Sequence, residues 1–222
     1  IIANPNCSTI IMVMALKPIY DLAKIKRVIV STYQAVSGAG KEGIDELDAQ
    51  VREHSEGREM TANILPSASA EKHYPIAFNL IPQIDVFCDN LYTKEEMKMV
   101  NETKKIMEDY EMRITATTIR VPVDRSHSES VNIELEKEVD LGAMREALAK
   151  FPGVTVQDDP SKQEYPMPLY TSEKDDVYVG RLRRDESCEK SYNMWVVGDQ
   201  IRKGAALNTL QIAETMIKNG WI

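Results

Sequence analysis

Three small groups of residues in this sequence carry reactive or ion-binding side chains. The first is Asn4-Pro5-Asn6-Cys7-Ser8-Thr9, a turn-forming run that opens a long apolar segment. A cysteine at the first turn of a helix faces unpaired N–H groups and the positive end of the helix dipole. Both favour the thiolate, the attacking form of the side chain. Asn6 and the neighbouring N–H groups also suit an oxyanion or a phosphate. The plainer reading of Cys7 is a small buried apolar residue, a common fate of cysteine. The nucleophile reading therefore needs a base and an anion clamp elsewhere in the chain.

The second group is Arg120-Val121-Pro122-Val123-Asp124-Arg125-Ser126-His127-Ser128-Glu129. Arg120 closes one strand pattern and His127 opens the next. A turn between antiparallel strands would bring both to one end of a sheet. Imidazole titrates near neutrality and suits acid–base work, and a guanidinium grips a carboxylate through two parallel hydrogen bonds. The competing reading is a surface turn with incidental charge. The third group is Glu95 with Lys98, which share a helix face at i, i+3; spacing alone makes them an ordinary solvated ion pair. Gln34 carries no signal of its own.

The elements that must position these residues are legible from periodicity. Ser8 to about Leu22 is apolar on most sides and reads as a buried helix. Lys26–Val36 reads as a strand around Val28, Ile29 and Val30. It runs into Ser37-Gly38-Ala39-Gly40-Lys41-Glu42-Gly43 and then a helix to about Glu53. That loop formally matches G-x-G-x-x-G, but no second parallel strand follows at the distance a dinucleotide fingerprint requires. A glycine turn is the reading kept. Residues 54–92 hold Pro66, Pro75 and Pro82 with little periodicity, and imply a long excursion over the surface or into a partner subunit.

Thr93-Lys94-Glu95-Glu96 has capping-box spacing and opens a helix to about Asp109. Arg113–Pro122 and Ser130–Glu138 alternate as strands, the second with Val131, Ile133 and Leu135 on a dry face. Leu141–Phe151 reads as a short helix. Val154–Gln157, Val177–Leu182 and Asn193–Val197 read as strands, and Ala205 to about Asn219 as a final helix. The fold class implied is α+β: a mixed, largely antiparallel sheet with helices on one face.

Composition narrows the function. The 222 residues contain 27 Lys+Arg against 35 Asp+Glu, a formal net charge of -8. Such a balance disfavours a non-specific nucleic-acid binder, which needs a basic face. No apolar run approaches the roughly 20 residues of a membrane span. Cys7, Cys88 and Cys188 are far apart and lack metal-ligand spacing, as do His54, His73 and His127, so no metal is expected. Cysteines used in this way suggest a reducing, cytoplasmic setting.

Four motifs together resemble a known family. They are Asn4-Pro5-Asn6-Cys7-Ser8-Thr9, Ser31-Thr32-Tyr33-Gln34-Ala35-Val36-Ser37-Gly38-Ala39-Gly40, Arg120-Val121-Pro122-Val123 with His127-Ser128-Glu129-Ser130, and Arg202-Lys203-Gly204-Ala205-Ala206. In this order they resemble bacterial aspartate-β-semialdehyde dehydrogenase, and the likeness runs over nearly the whole chain. The resemblance implies a C-terminal domain like that of glyceraldehyde-3-phosphate dehydrogenase. It also implies NADPH-dependent reduction of L-4-aspartyl phosphate to L-aspartate 4-semialdehyde, on the way to lysine, methionine and threonine.

Carried over by motif, Cys7 would form the thioester, His127 would be the general acid/base and Gln34 would orient the acyl group. Arg120 would bind the substrate carboxylate, Glu95 its ammonium, and Lys98 and Asn6 its phosphate. Ser37, Gly38 and Gln200 would face NADP; Gln200 departs from the family's usual Asn. The family is a homodimer or homotetramer. It carries a dinucleotide-binding domain ahead of the cysteine, whereas this sequence starts a few residues before Cys7. Residues 1–204 would then form the catalytic and dimerisation domain, and 205–222 a helix that packs on the NADP-binding domain. Low or absent activity is expected of these residues alone. The rivals are a related N-acyl-glutamyl-phosphate reductase, against which Glu95 argues because an acetylated amine needs no carboxylate, and a non-catalytic self-associating segment.

Overall fold

The computed structural model describes residues 1–222. Helix α1 spans Cys7–Leu22, and Asn6 caps it by accepting the Thr9 N–H on Oδ1 at 3.1 Å. Strand β1 (Ile25–Gln34) follows, then a single 3₁₀ turn over Val36–Ala39 and helix α2 (Lys41–Ser55). Helix α3 (Lys94–Ile106) begins with the capping box, in which the Thr93 side chain and the Glu96 side chain each bond the other residue's backbone N–H. Strands β2 (Arg113–Arg120) and β3 (His127–Leu135), helix α4 (Leu141–Lys150) and strand β4 (Val154–Val156) come next. A short helix α5 (Pro168–Thr171), strands β5 (Val177–Arg184) and β6 (Ser191–Gly198), and helix α6 (Leu207–Lys218) complete the chain.

The six strands form one sheet in the order β2-β1-β3-β6-β5-β4. The β1/β3, β3/β6 and β5/β6 pairs are antiparallel, while β1/β2 and β4/β5 are parallel. A parallel partner for β1 does exist, in register Arg27↔Arg113 to Gln34↔Arg120, but it is far downstream. Arg120 and His127 are therefore not hairpin neighbours. They flank the C-terminal end of β1 from either side, at the same end of the sheet.

Burial explains the layering. Ile11, Met12, Leu16 and Ile19 of α1 are fully buried against Val28, Val30, Val131, Ile133 and Val196 on one sheet face. Each such side chain contributes about 1.5–3 kcal/mol over its exposed state. The odd-numbered residues of β3 all look toward this core, and that parity includes His127 and Glu129. The opposite face carries Ile29, Ser31, Tyr33, Asn132, Asn193 and Trp195, all half-buried, with the Tyr33 and Trp195 rings 5.4 Å apart.

Residues 56–93 hold no regular helix or strand, as their prolines imply, yet they are tied down. Buried Glu46 of α2 accepts the Asn63, Ile64 and Leu65 N–H groups. Buried Gln50 accepts those of Ile76 and Ala77 and donates to the Thr61 carbonyl. These bonds satisfy loop groups that no ladder reaches. They also close a small second core of Val36, Leu47, Leu65, Ile76, Ala77 and Ile81. At the other end, the final helix starts with a π-turn over Arg202–Ala206 rather than an ordinary first turn.

Candidate active site

The N-terminus of α1, the C-terminal ends of β1 and β2, the start of β3 and the first turns of α3 converge on one spot. The Asn6 side chain caps α1 and donates from Nδ2 to Glu95 Oε1 at 2.9 Å. Its backbone N–H is taken by Glu102 Oε2 at 2.7 Å. Gln34, buried at the end of β1, donates from Nε2 to Ser8 Oγ at 2.8 Å and to Glu95 Oε1 at 3.3 Å. Lys98 lies 3.5 Å from Glu95 Oε2 and 3.3 Å from Asp85 Oδ2. Glu95 is thus buried and shared by three donors, not the solvated partner of one lysine.

Arg120 and His127 are held by the same residue, Ala35. The Arg120 guanidinium donates to the Ala35 carbonyl at 2.8 Å, and the Ala35 N–H donates to His127 Nδ1 at 3.1 Å. Arg120 Nε and His127 Nε2 are buried without partners. Burial pulls Arg120 below its ordinary value, opposed by Glu95 and Cys7. Burial, and then the Arg120 charge, hold His127 well below the usual imidazole value. Arg120 is therefore electrostatically coupled to the thiol and to the imidazole alike. Its free N–H groups suit a carboxylate.

The Cys7 thiol departs from the helix-dipole expectation. Burial, and after it the charge of Glu95, push it up to about 12, outweighing the Ser8 hydrogen bonds and Arg120 that pull the other way. Burial works against the charge on Lys98, but Glu95 and Asp85 overcome it and hold that ammonium above its ordinary value.

The residues that resemblance assigns to NADP form one wall. Gln200 Nε2 donates to Ser37 Oγ, and Gln200 Oε1 accepts the Ser126 N–H at 2.9 Å. Ser126 sits at φ 72, a left-handed backbone unusual outside glycine, directly before His127. Gln200 thus supports the turn that presents the imidazole. Buried Asp199 beside it receives the Arg125 guanidinium at 2.7 Å and the Glu173 N–H at 2.6 Å. Ser37 Oγ, as an acceptor from Gln200, still has its own proton to offer. A Cβ at Gly38 would lie 2.7 Å from Arg120 Nη1 and 3.1 Å from His127 Cε1. Gly38→Ala is expected to displace both side chains and to lower stability by about 1–3 kcal/mol, read from urea unfolding midpoints.

Sequence reasoning missed Ser8, Gly204 and Glu129. Ser8 is visible only through its bond to Gln34. Gly204 belongs to the π-turn, where a Cβ would lie 2.9 Å from Cys7 Cβ. Glu129 is completely buried and neither carboxyl oxygen has a partner. Burial alone pushes it well above the usual carboxylate range. Extending the β3 alternation back from Val131 would have put it on the dry face.

The family description "Semialdehyde dehydrogenase, dimerisation domain" matches residues 16–203. The chain is 54% identical over 222 residues to the aspartate-semialdehyde dehydrogenase of Aquifex aeolicus, covering 100% of this chain and 64% of that protein. The Bacillus subtilis enzyme of the same name is 52% identical over 98% of this chain and 63% of its own length. Aspartate semialdehyde dehydrogenase II from Vibrio cholerae, solved in complex with ASA, superimposes with a TM-score of 0.91 at 45% identity, covering 98% of this chain and 62% of that one. The chain spans less than two thirds of the length of these relatives. With the matched segment, the shared fold and these identities together, the chain belongs to the semialdehyde dehydrogenase family.

Proposed function

We propose that this chain provides the acyl-transfer site of an aspartate-semialdehyde dehydrogenase, which reduces L-4-aspartyl phosphate to L-aspartate 4-semialdehyde with NADPH. The observation that carries the reading is the convergence of Cys7, Glu95, Lys98, Arg120 and His127 from four separate elements, α1, α3, β2 and β3. The substrate has a carboxylate, an ammonium and a phosphoryl group. Arg120 supplies a guanidinium fork with free N–H groups, and Glu95 a buried anion beside the nucleophile. Lys98 and the second N–H of the Asn6 amide remain for phosphate.

Cys7 attacks the acyl carbon and expels phosphate, leaving a thioester. Gln34, bonded to Ser8 and Glu95, orients the acyl group, and His127 serves the carbonyl oxygen as proton holder. Ser37, Gly38 and Gln200 are the residues that would meet the nicotinamide end of NADP, which when bound supplies the hydride. The donor set fits that group through the Ser37 hydroxyl, whose proton is uncommitted.

Self-association follows the family description, and the half-buried sheet face around Ile29, Tyr33 and Trp195 is the surface we assign to it, in a homodimer or a homotetramer. The three cysteines are unpaired and no helix is long and apolar enough to cross a membrane; a cytoplasmic enzyme of lysine, methionine and threonine synthesis is the setting we infer.

The test needs no cofactor. The protein is incubated with L-4-aspartyl phosphate made in place by a kinase, and Cys7 is examined by peptide mass spectrometry. An aspartyl adduct is expected on Cys7 and none in Cys7→Ala. Acylation that fails while iodoacetamide still labels Cys7 would remove the acyl-transfer reading.

A further inference from the structure

We propose that Arg125 and Asp199 are positioning residues: their ion pair holds Ser126 in its left-handed conformation and so sets where His127 enters β3. The bearing of this clamp on acylation rests on the acyl-transfer reading above; the clamp itself does not.

Ser126 is buried and sits at φ 72. A side chain makes that region costly, because Cβ crowds the following carbonyl oxygen, and the conformation persists only where the surroundings over-determine it. Relaxing it to an ordinary φ would redirect the chain at the base of β3, and His127 is the next residue. The turn is tied down on either side of this point. Ahead of it, the Val123 and Asp124 carbonyls accept the Val36 and Ser37 N–H groups at 2.8 and 3.2 Å. After it, His127 pairs with Gly198 of β6. Neither tie fixes the peptide between Arg125 and Ser126.

Two anchors do. The N–H of that peptide donates to Gln200 Oε1 at 2.9 Å. Its carbonyl lies 3.3 Å from Ser172 Oγ, which is closer to the Pro168 carbonyl at 2.8 Å, so that contact holds little. The second anchor is the Arg125 side chain, with Nε 2.7 Å from Asp199 Oδ2 and Nη1 3.3 Å from Glu173 Oε1.

Asp199 is built to be the fixed end. It is fully buried, and backbone N–H groups hold both of its oxygens: Ile201 and Arg202 on Oδ1 at 2.9 and 3.0 Å, Glu173 on Oδ2 at 2.6 Å. An ion pair between two free surface side chains contributes little, because both lose their freedom. Here the carboxylate is already immobile, and only half-buried Arg125 has to be ordered. Neither side chain hydrogen-bonds Cys7, Gln34, Arg120 or His127, so its effect on them passes through the backbone. Asp199 also caps the π-turn that abuts Cys7, so the test is made at Arg125.

Glycine takes a positive φ without strain, so a glycine at 126 should make the clamp dispensable. Wild type, Arg125→Met, Ser126→Gly and the double variant are compared. One readout is the rate of Cys7 acylation by L-4-aspartyl phosphate. The other is hydrogen exchange at the Ala35 amide, which donates to His127 Nδ1 and touches neither Arg125 nor Asp199. Arg125→Met is expected to slow acylation about tenfold and to speed Ala35 exchange by a similar factor. Adding Ser126→Gly is expected to bring both to within about threefold of Ser126→Gly alone. If Arg125 served only to neutralise Asp199, glycine would restore nothing, since it supplies no charge. That result, or no loss in Arg125→Met, overturns the proposal. Where Arg125→Met does not fold, the double variant is expected to fold, and its failure to do so overturns the proposal as well. If the wild-type protein is not acylated at all, the functional reading fails, and Ala35 exchange still decides the clamp.

Discussion

Glu95→Gln is expected to speed alkylation of Cys7 near pH 8 by roughly tenfold or more, because a like charge removed from beside a thiol lowers its pKa by about one unit or more. The wild-type thiol, pushed up to about 12 by burial and by Glu95, is almost wholly protonated at that pH. Glutamine keeps the shape and the acceptor oxygen for Asn6 and Gln34 while removing the charge. The rate should be measured with iodoacetamide against pH in a Cys88→Ser, Cys188→Ser background, since all three cysteines are free. An unchanged rate would mean that burial alone sets the thiol. On the acyl-transfer reading proposed above, a substrate ammonium seated on Glu95 would offset the same charge, leaving burial as the larger influence on the thiol.

Glu129→Gln is expected to stabilise the fold at pH 8 and to change little at pH 4. The carboxyl is fully buried, unpartnered and pushed well above its ordinary range by burial. A group with a raised folded pKa contributes its stability below the unfolded value of about 4.3 and loses it as pH rises toward the folded value. Wild-type stability should therefore decline from about pH 4 upward through this group, and the amide should flatten that slope. An added gain of about 1–3 kcal/mol is expected for Glu129→Met, which also removes the two unsatisfied oxygens. His127 has the opposite sign. Its folded pKa is depressed, so its share is present above the unfolded value of about 6.5 and is lost as pH falls below it. Urea titrations of both variants across this range separate the two slopes; a Glu129→Gln protein with the wild-type slope would show that Glu129 titrates normally.

Local rules carried most of the fold. The capping box at Thr93 and the alternation of Val131, Ile133 and Leu135 announce α3 and β3 because both signals lie within a few residues. The parallel pairing of β1 with β2 does not announce itself, since the partner strand arrives only after α2, the long loop and α3. The same distance explains the thiol. Position at a helix N-terminus is a local cue favouring ionisation, but the groups that decide the outcome, the covering core and Glu95, come from far along the chain. Arg120 and His127 were legible as residue types, and the amide that fixes them, at Ala35, was not: nothing in a sequence says that a backbone N–H will meet a ring nitrogen. Glu46 and Gln50 look like ordinary solvated positions of α2 until the loop they hold is seen against them.

The π-turn over Arg202–Ala206 places Gly204 so close to Cys7 that no methyl group fits between them. Helix α6 continues straight out of that turn and buries none of its residues. Cys7 therefore abuts, across one glycine, the root of a helix that is only partly covered along its length. A shift of residues 207–218 that carried Gly204 with it would press directly on the carbon that bears the thiol.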